Sequence, residues 1–403
     1  MTSPRISVSL PVYNGAETLR RLLASVAAQS FADFQVNMVD NASADGTAEI
    51  CREFADRDRR FRYYRNHRNM GVNYSFERCF FLGADSEFTV YVGHDDYWAP
   101  EYLAACLAAL EARPEAAAAY SRVNLLDMAG NVSLAGHKDD FDLSEPDPAK
   151  RYLTMISRVG MLTCYYGLMR TRNLADNIDL IHYGSAAGDN IIMTSLAIEG
   201  PIIQLDEALF YRTPPGQRYH QESLKERYER LESMSAGSPR SGAGRPRLGG
   251  ASLPMTSFIA LNCYLLTRHA EVFDYAAQEA LTAKTLQILS QRYESMLKGE
   301  LELILKCIST GNIYNLTASS EGEAGGPRQG RYKFLDHVRL AGYLLHLNNY
   351  RAFVSDKAQE LHYARALVLL MMGRKSEAVE ALAAELNFNP THRGALELMA
   401  RLK

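Results

Sequence analysis

Along the first 120 residues, short apolar runs alternate with longer stretches in which apolar positions recur every three to four residues. "RISVSLPVY", "FQVNMVD", "FRYYRN", "FTVYVG" and "AAAAYSRVNLLD" have the length and β-branched or aromatic content of strands. Between them, "AETLRRLLASVAAQ" places Leu19, Leu22, Leu23 and Val26 on one helical face. "DGTAEICREFADR", "NYSFERCFFLGA" and "PEYLAACLAALEARP" read as the next three helices. Asn14 stands near the start of the first helix as a candidate cap. This alternation predicts an α/β fold with a doubly wound, mostly parallel, Rossmann-like sheet. Such sheets bind ligands at the carboxyl ends of their strands, near the switch in strand order.

From about 150 to 215 the pattern is mixed. "MLTCYYGLMR" reads as a strand, "GDNIIMTSLAIEG" as a helix and "PIIQLDEALFYR" as a strand pair. The composition then changes twice. "SAGSPRSGAGRPRLGGAS" and "ASSEGEAGGPRQG" are rich in Gly, Ser and Pro and read as loops or linkers. Around them the chain reads helical. Leu286, Leu289, Tyr293, Met296, Leu301, Ile304 and Ile308 have the spacing of one long amphipathic helix. The last segment carries Gly373, Glu377–Ala378 and Pro390 in a small–large pattern like one tetratricopeptide hairpin, against the plainer reading of an ordinary helical hairpin. The expected organisation is an α/β domain over 1–220, a linker over 221–254, helices over 255–317, a loop over 318–331 and a tetratricopeptide-like, all-α region over 332–403.

Composition narrows the function classes. The 403 residues are 47% hydrophobic and 23% charged, as in globular proteins. A net charge of −3 argues against a general nucleic-acid binder. The six cysteines form no C-x-x-C pair, so neither a zinc site nor a disulfide framework is suggested, and buried free thiols in a reducing compartment are expected. The first residues lack a signal-peptide core, and no run reaches the roughly 18–20 apolar residues of a membrane span. A cytoplasmic location is expected, with peripheral contact at the inner face of the membrane left open.

Three loops fall at predicted strand ends: "PVYNGAE", "VDNASADGT" and "VGHDDYW". Asp40 and Asp95 end the second and fourth strands, which directs two acids at one cleft and suits a ligand with hydrogen-bond donors and a divalent cation. Plainer roles exist for each. Asp45-Gly46-Thr47 has the chemistry of a turn and helix cap. Asp40 can be a turn former, and Asp95 and Asp96 can start the helix near Pro100.

"ISVSLPVYNGAETLRRLLASVAAQSF", "VNMVDNASADGT" and "VYVGHDDYWAPEYL", in that order, resemble the nucleotide-sugar-binding half of the family 2 glycosyltransferases, which have the GT-A fold. The resemblance covers roughly residues 5–215. It implies inverting transfer of a sugar from a nucleotide diphosphate donor, expected to be a UDP-sugar, to an acceptor hydroxyl. Pro11, Tyr13 and Asn14 then match the loop that lines base and ribose. Asp40 matches the acid that accepts from the base, and Asn69 and Gly71 match an N-x-G turn beside the nucleotide. Ser75 or Phe76 stands where some members carry a basic or amide contact. In "GHDD", Gly93 replaces an acid common in the family, and His94 takes the middle place. Asp95 takes the metal-binding one. Mg²⁺ or Mn²⁺ is the implied cofactor, with Asp95 and His94 as the metal-ligand candidates; His94 is also read as a contact to ribose or phosphate, against the plainer role of a strand-end histidine. The resemblance also implies a general base at a helix start, which fits Asp189, with Asp179, Asp206 and Glu207 as competitors. Tyr165–Arg170 would line the acceptor site. Arg212 and Arg218, with His220 beyond, would form a lid on the diphosphate.

The implied setting is assembly of a bacterial surface polysaccharide or glycan, with a glycan, lipid-linked or protein acceptor. Alternatives are a protein-modifying glycosyltransferase and a non-catalytic nucleotide-sugar-binding scaffold with a helical interaction region. The C-terminal helices would hold an acceptor, a protein partner or a second copy of the chain. Nucleotidyl transfer is disfavoured, because "PVYNGAE" is not a Gly-rich, basic phosphate loop.

Overall fold

The computed structural model describes residues 3–126, 132–134, 143–157, 162–182, 188–213, 247–248, 251–252, 254–293, 366, 375–388, 390–391 and 393–402. They belong to two compact units, Met1–Gly242 and Ala243–Lys403.

The first unit is an α/β layer structure. Its elements run β1 (Ile6–Val12), α1 (Ala16–Ala27), β2 (Phe34–Asp40), α2 (Thr47–Arg57), β3 (Phe61–Arg65), α3 (Val72–Leu82), β4 (Phe88–Tyr91), β5 (Tyr97–Trp98), α4 (Tyr102–Ala112), β6 (Ala118–Leu126), β7 (Val132–Leu134), α5 (Pro148–Ser157), β8 (Leu168–Arg170), α6 (Thr171–Asn177), α7 (Gly188–Glu199) and β9 (Ile202–Arg212). The sheet order is β3-β2-β1-β4-β8-β6-β9-β5, with β7 on β6. The half made of β3, β2, β1 and β4 is parallel. β9 is parallel to β6, whereas β5, β7 and β8 run antiparallel to their neighbours. The sheet is therefore mixed, and its parallel half is the part that the strand–helix alternation foretells.

Burial explains the strand patterns. Every residue of β2 is buried, which is why "FQVNMVD" reads as a continuous run and not as an alternation. At the sheet edge, β3 buries Phe61 and exposes Arg62. Leu19, Leu22, Leu23 and Val26 of α1 are fully buried in the core shared with Val8, Leu10, Val36 and Trp98. Register then sets the site. Val12 is opposite Asp40, Asp40 is opposite Arg65, and Ser9 is opposite Tyr91, so the loops after β1, β2, β3 and β4 leave the sheet side by side.

Three local expectations change. Residues 161–170 are not one strand: Thr163–Tyr166 form a 3-10 turn before the short β8. The left-handed Leu162 (φ 51°) begins that turn. Gly167 ends it where a Cβ would stand 2.7 Å from the Ala119 carbonyl. The aromatic run signals packing there, not an extended chain. "PIIQLDEALFYR" is one strand, β9, rather than two. Its pairing to β6 shifts register around Arg122, and a bulge absorbs the polar Asp206-Glu207 step that resembles a turn. Asn14 does not cap α1; Gly15 holds that place.

In the second unit, α8 (Pro254–Arg268) and α9 (Tyr275–Arg292) pack on each other, and Phe258, Leu265, Leu286 and Leu289 are buried. The Asp274 side chain caps α9 by accepting from the Ala277 N–H at 2.8 Å. A short hairpin pairs β10 (Arg247–Leu248) with β11 (Ala251–Ser252). The helices α10 (Lys375–Phe388) and α11 (Arg393–Leu402) bury Ala378, Ala381, Leu382 and Ala395 together. Most of the residues buried in this contact are small. The predicted helix beyond Tyr293 and the 318–331 loop lie outside the described residues. No described helix is long and apolar enough to cross a membrane.

Candidate functional site

A pocket of about 240 Å³ opens at the carboxyl ends of the parallel strands, lined by Pro11, Val12 and Tyr13 from one loop, Asn41 from the second, Asn69, Val72, Ser75 and Phe76 around the start of α3, and Val92, Gly93 and His94 after β4. Of the residues singled out from sequence, Pro11, Tyr13, Asn69 and His94 meet here. Tyr13 is 43% exposed, an aromatic face at the pocket mouth. The walls are mainly apolar side chains, with amide and imidazole groups at a few points.

The first two loops are stitched together. Asn14, at φ 50°, accepts from the Ala44 N–H through Oδ1 at 2.9 Å, and its own N–H donates to Ser43 Oγ at 2.9 Å. The Gly15 N–H donates to Thr47 Oγ1 at 2.9 Å. Asp45 accepts from the Thr47 N–H at the start of α2 and from the Ala16 N–H at the start of α1. One carboxylate thus serves two helix starts, a wider role than the turn and cap read from sequence. Asn14 itself does not line the pocket. Its side chain fixes the loop that does.

Asp40 does not face the pocket either. It is fully buried, and its carboxylate accepts from the Ser43 N–H at 2.8 Å, from the Tyr63 hydroxyl at 2.8 Å and from Arg65 at 2.5 Å. Burying a carboxylate requires such donors, and Arg65 and Tyr63 come from β3, directly across the register. The polar side chain of this strand end that reaches the pocket is the next residue, Asn41. Sequence reading missed it because period-two logic cannot say which of two adjacent polar residues at a strand end turns inward. Gly71 has φ 86°, which favours glycine, and its N–H donates to Asn69 Oδ1 at 2.9 Å. That is the physical content of the "N-x-G" spacing.

The acidic corner lies beside the pocket. A Cβ on Gly93 would come within 2.9 Å of Asp95 Oδ1 and 3.3 Å of Asp96 Oδ2, so both carboxylates lean over this glycine. His94 Nδ1 is 3.2 Å from Thr18 Oγ1, and the ring packs against Gly15 at the start of α1. Arg21 of α1 stacks on Tyr97 and donates to the Asp95 carbonyl at 3.0 Å and to Thr213 Oγ1 at 2.7 Å. The Thr213 hydroxyl donates to that same carbonyl at 2.7 Å, and the Thr213 N–H donates to Asp96 Oδ1 at 3.2 Å. Tyr97 and Trp98 do not open a helix; as β5 they pair with Tyr211 and Phe210 of β9, which brings Arg212 and Thr213 to this corner. Burial, and then the neighbouring Asp95 charge, push the Asp96 carboxyl up to about 7. Asp96 is a second residue that deserved more weight than sequence alone assigned.

Residues 7–173 match the sequence profile of glycosyl transferase family 2. Within the first unit, this stretch is a glycosyl transferase family 2 domain. The chain is 34% identical over 144 residues to the O-antigen biosynthesis protein RfbC of Myxococcus xanthus, covering 34% of this chain and 11% of that one. It is 27% identical over 110 residues to the glycosyltransferase GlyA of Streptococcus pneumoniae, covering 26% and 14%. The chain thus spans only a small part of these relatives. Among solved structures, S. aureus TarS 1–349 in complex with UDP-GlcNAc is similar with a TM-score of 0.49 at 17% identity, covering 96% of this chain and 93% of that one.

Beyond the matched span, in the same unit, Asp189 lies in the first turn of α7, half-buried, and its Oδ1 accepts from the Asn190 N–H at 2.8 Å. It shares an electrostatic neighbourhood with the acidic corner. Burial raises the Tyr166 phenol; Arg212 opposes that shift, while Asp96, Asp189 and Asp95 all add to it. The competing acids stand elsewhere: Asp206 and Glu207 are exposed on the β9 bulge, Asp206 pairing with Arg122 at 3.5 Å. Asp179 is in a 3-10 turn, Ile178–His182. Tyr165 stacks on Tyr91 with ring centroids 5.2 Å apart, and the Arg212 guanidinium lies 5.7 Å from the Tyr166 ring centre. Arg218 and His220 lie outside the described residues.

Proposed function

We propose that the protein is an inverting glycosyltransferase that moves a sugar from a nucleotide diphosphate donor, a UDP-sugar, to an acceptor hydroxyl in polysaccharide or glycan assembly. The observation that carries this is the adjacency, in a family 2 domain, of a base-sized pocket to the paired carboxylates over Gly93. The name of the Myxococcus relative supports the polysaccharide setting.

The acidic corner fits a hard divalent cation. Mg²⁺ and Mn²⁺ take carboxylate oxygens, commonly one or two from protein, and leave the remaining positions to water and substrate phosphates. Asp95 Oδ1 and Asp96 Oδ2 converge above Gly93, which itself adds no side chain there. Among the described residues, this corner included, no three His, Cys, Asp or Glu side chains group as a metal cage, so a cation here would take most of its ligands from water and phosphate. Asp95 would hold the cation with Asp96 beside it; His94, tethered through Nδ1 to Thr18, has Nε2 left for phosphate, ribose or metal. When bound, the cation supplies charge neutralisation for the leaving diphosphate.

The chain's own groups do the rest. Tyr13 and Pro11 cover the base. Arg21 and Thr213 hold the Asp95–Asp96 backbone in place. Asp189 takes the proton from the acceptor hydroxyl, whose oxygen attacks the anomeric carbon as the bond to the diphosphate breaks. Arg212, on the Tyr166 ring, provides positive charge at the corner.

The test is release of nucleoside diphosphate from UDP-sugars with Mn²⁺ and an acceptor, together with donor binding followed by thermal shift. Asp189→Asn is expected to remove turnover while keeping donor binding. Normal turnover in that variant refutes the base assignment. An absence of any nucleotide-sugar binding by the wild type refutes the donor site.

A further inference from the structure

One charged stretch of the domain is not used by the donor site. From Arg59 to Leu82 the chain carries Arg59, Arg60, Arg62, Arg65, Arg68 and Arg78 against a single acid, Glu77, in a protein whose net charge is −3. Arginines elsewhere on the domain are neutralised where they stand: Arg5 by Glu87 and Glu111, Arg20 by Glu53, Arg113 by Glu115. Within the stretch, Arg60 pairs with Asp58 and Arg65 with Asp40. Arg62 and Arg68 are exposed and pair with no carboxylate among the described residues. Arg78 has neutral company: the Asn66 amide oxygen, the Arg65 carbonyl and the Tyr64 ring. Glu77 is only 5% exposed, so it does not offset these cations at the surface.

The uncompensated cations stand among aromatic side chains on one face. Along β3, Tyr63 and Arg65 turn toward Asp40, so Arg62 and Tyr64 lie on the other side of the sheet. That is the side of α3, because the Arg78 guanidinium lies 6.0 Å from the Tyr64 ring centre. On α3, Tyr74, Arg78 and Phe81 fall at i, i+4 and i+7, one helical stripe, whereas Ser75, Cys79 and Phe80 are buried. Arg68 stands in the loop from β3 into α3, next to Asn69 of the pocket. Phe81 is 62% exposed, more than any other exposed large apolar side chain among the described residues. A lone exposed phenylalanine needs no explanation. This one ends a stripe of cations and tyrosines.

We propose that this face docks the protein on an anionic membrane surface, with the arginines among lipid phosphates and Phe81 below them. A soluble polyanion would use the cations but gives Phe81 no apolar medium to enter. A bilayer interface takes arginines, tyrosines and an inserted aromatic together. The stripe begins where α3 meets the pocket, so docking puts the pocket within one helix length of the bilayer.

The test is co-sedimentation of the full chain with vesicles of phosphatidylcholine alone and of phosphatidylcholine mixed with phosphatidylglycerol. The wild type is expected to bind the anionic vesicles and not the neutral ones, and added salt is expected to weaken that binding. Each arginine at such a surface contributes about fivefold, so Arg62→Gln combined with Arg68→Gln is expected to lower the partition coefficient about 25-fold. Phe81→Ser is expected to lower it about tenfold. These side chains are exposed, so melting temperatures should stay at the wild-type value. Phe81→Trp is expected to bind like the wild type and to be quenched by brominated lipid, whereas the buried Trp98 of the wild type is not. Equal binding to both vesicle types, binding to neither, or binding untouched by the arginine and Phe81→Ser substitutions overturns the proposal. So does binding that soluble polyphosphate abolishes while Phe81→Ser leaves it unchanged, which would assign the face to a soluble polyanion.

Discussion

Replacing Asp96 by Asn tests how the acidic corner is held. Asp96 is only 4% exposed, and its carboxyl is pushed up to about 7, first by burial and then by the Asp95 charge, against weaker opposing effects from Arg212, the Thr213 N–H and Arg21. An aspartate in the unfolded chain titrates near about 3.9. Between these values the folded state holds a proton that the unfolded state has released. Stability therefore falls as pH rises through this window, and the loss is complete above about pH 7. A shift of about three units corresponds to a ceiling of about 4 kcal/mol. Asn is neutral throughout and keeps an oxygen for the Thr213 N–H. Without divalent cation, Asp96→Asn is expected to melt higher than wild type, with a gap that widens between about pH 5 and about pH 8.5. At about 2–4 °C per kcal/mol for a domain of this size, the widening amounts to several degrees. Differential scanning calorimetry at both pH values measures it. Added Mn²⁺ is expected to raise the wild type more than the variant at the higher pH. A gap that does not change with pH would mean that the carboxylate is solvated and that burial does not govern it.

Two further outcomes follow from other parts of the domain. At Asn14, Gly keeps the left-handed backbone but loses the bond to Ala44, whereas Ala loses the bond and strains the backbone; thermal melts should rank wild type above Asn14→Gly above Asn14→Ala, in steps of about 1 kcal/mol, and an Ala variant as stable as the Gly variant would contradict this. Burial pushes the Cys51 and Cys106 thiols up to about 12 and raises Cys79 further; peptide mapping after thiol labelling should find all three unlabelled in the folded protein and labelled in denaturant, and rapid labelling of any of them at neutral pH would count against their burial.

The strands and helices of the parallel half are legible because each carries its own signal: a fully buried run in β2, a one-sided stripe in α1. The antiparallel insertion is not, since β8 is three residues long and β5 two, and their places depend on partners far along the chain. The site divides in the same way. Tyr13 and His94 follow from strand-end logic and Asn69 from the family resemblance, and all three line the pocket. The difference between Asp40 and Asn41 does not, because it is decided by Tyr63 and Arg65 across the register. Likewise, nothing local marks Asn14 as a staple between loops rather than a helix cap; its partner Ala44 is thirty residues away.

Gly93 has a consequence for how this corner tolerates change. The acid common at its place in the family is not simply missing: Asp95 and Asp96 lean into the volume that its side chain would fill. Gly93→Asp would then not restore a motif. It would set a third negative charge against two others and force one of them aside. The three positions are epistatic, in that the effect of a residue at 93 depends on what stands at 95 and 96. Motif scoring, which weighs each column separately, would rank Gly93→Asp as an improvement, whereas the geometry ranks it as damage unless Asp95 or Asp96 changes with it.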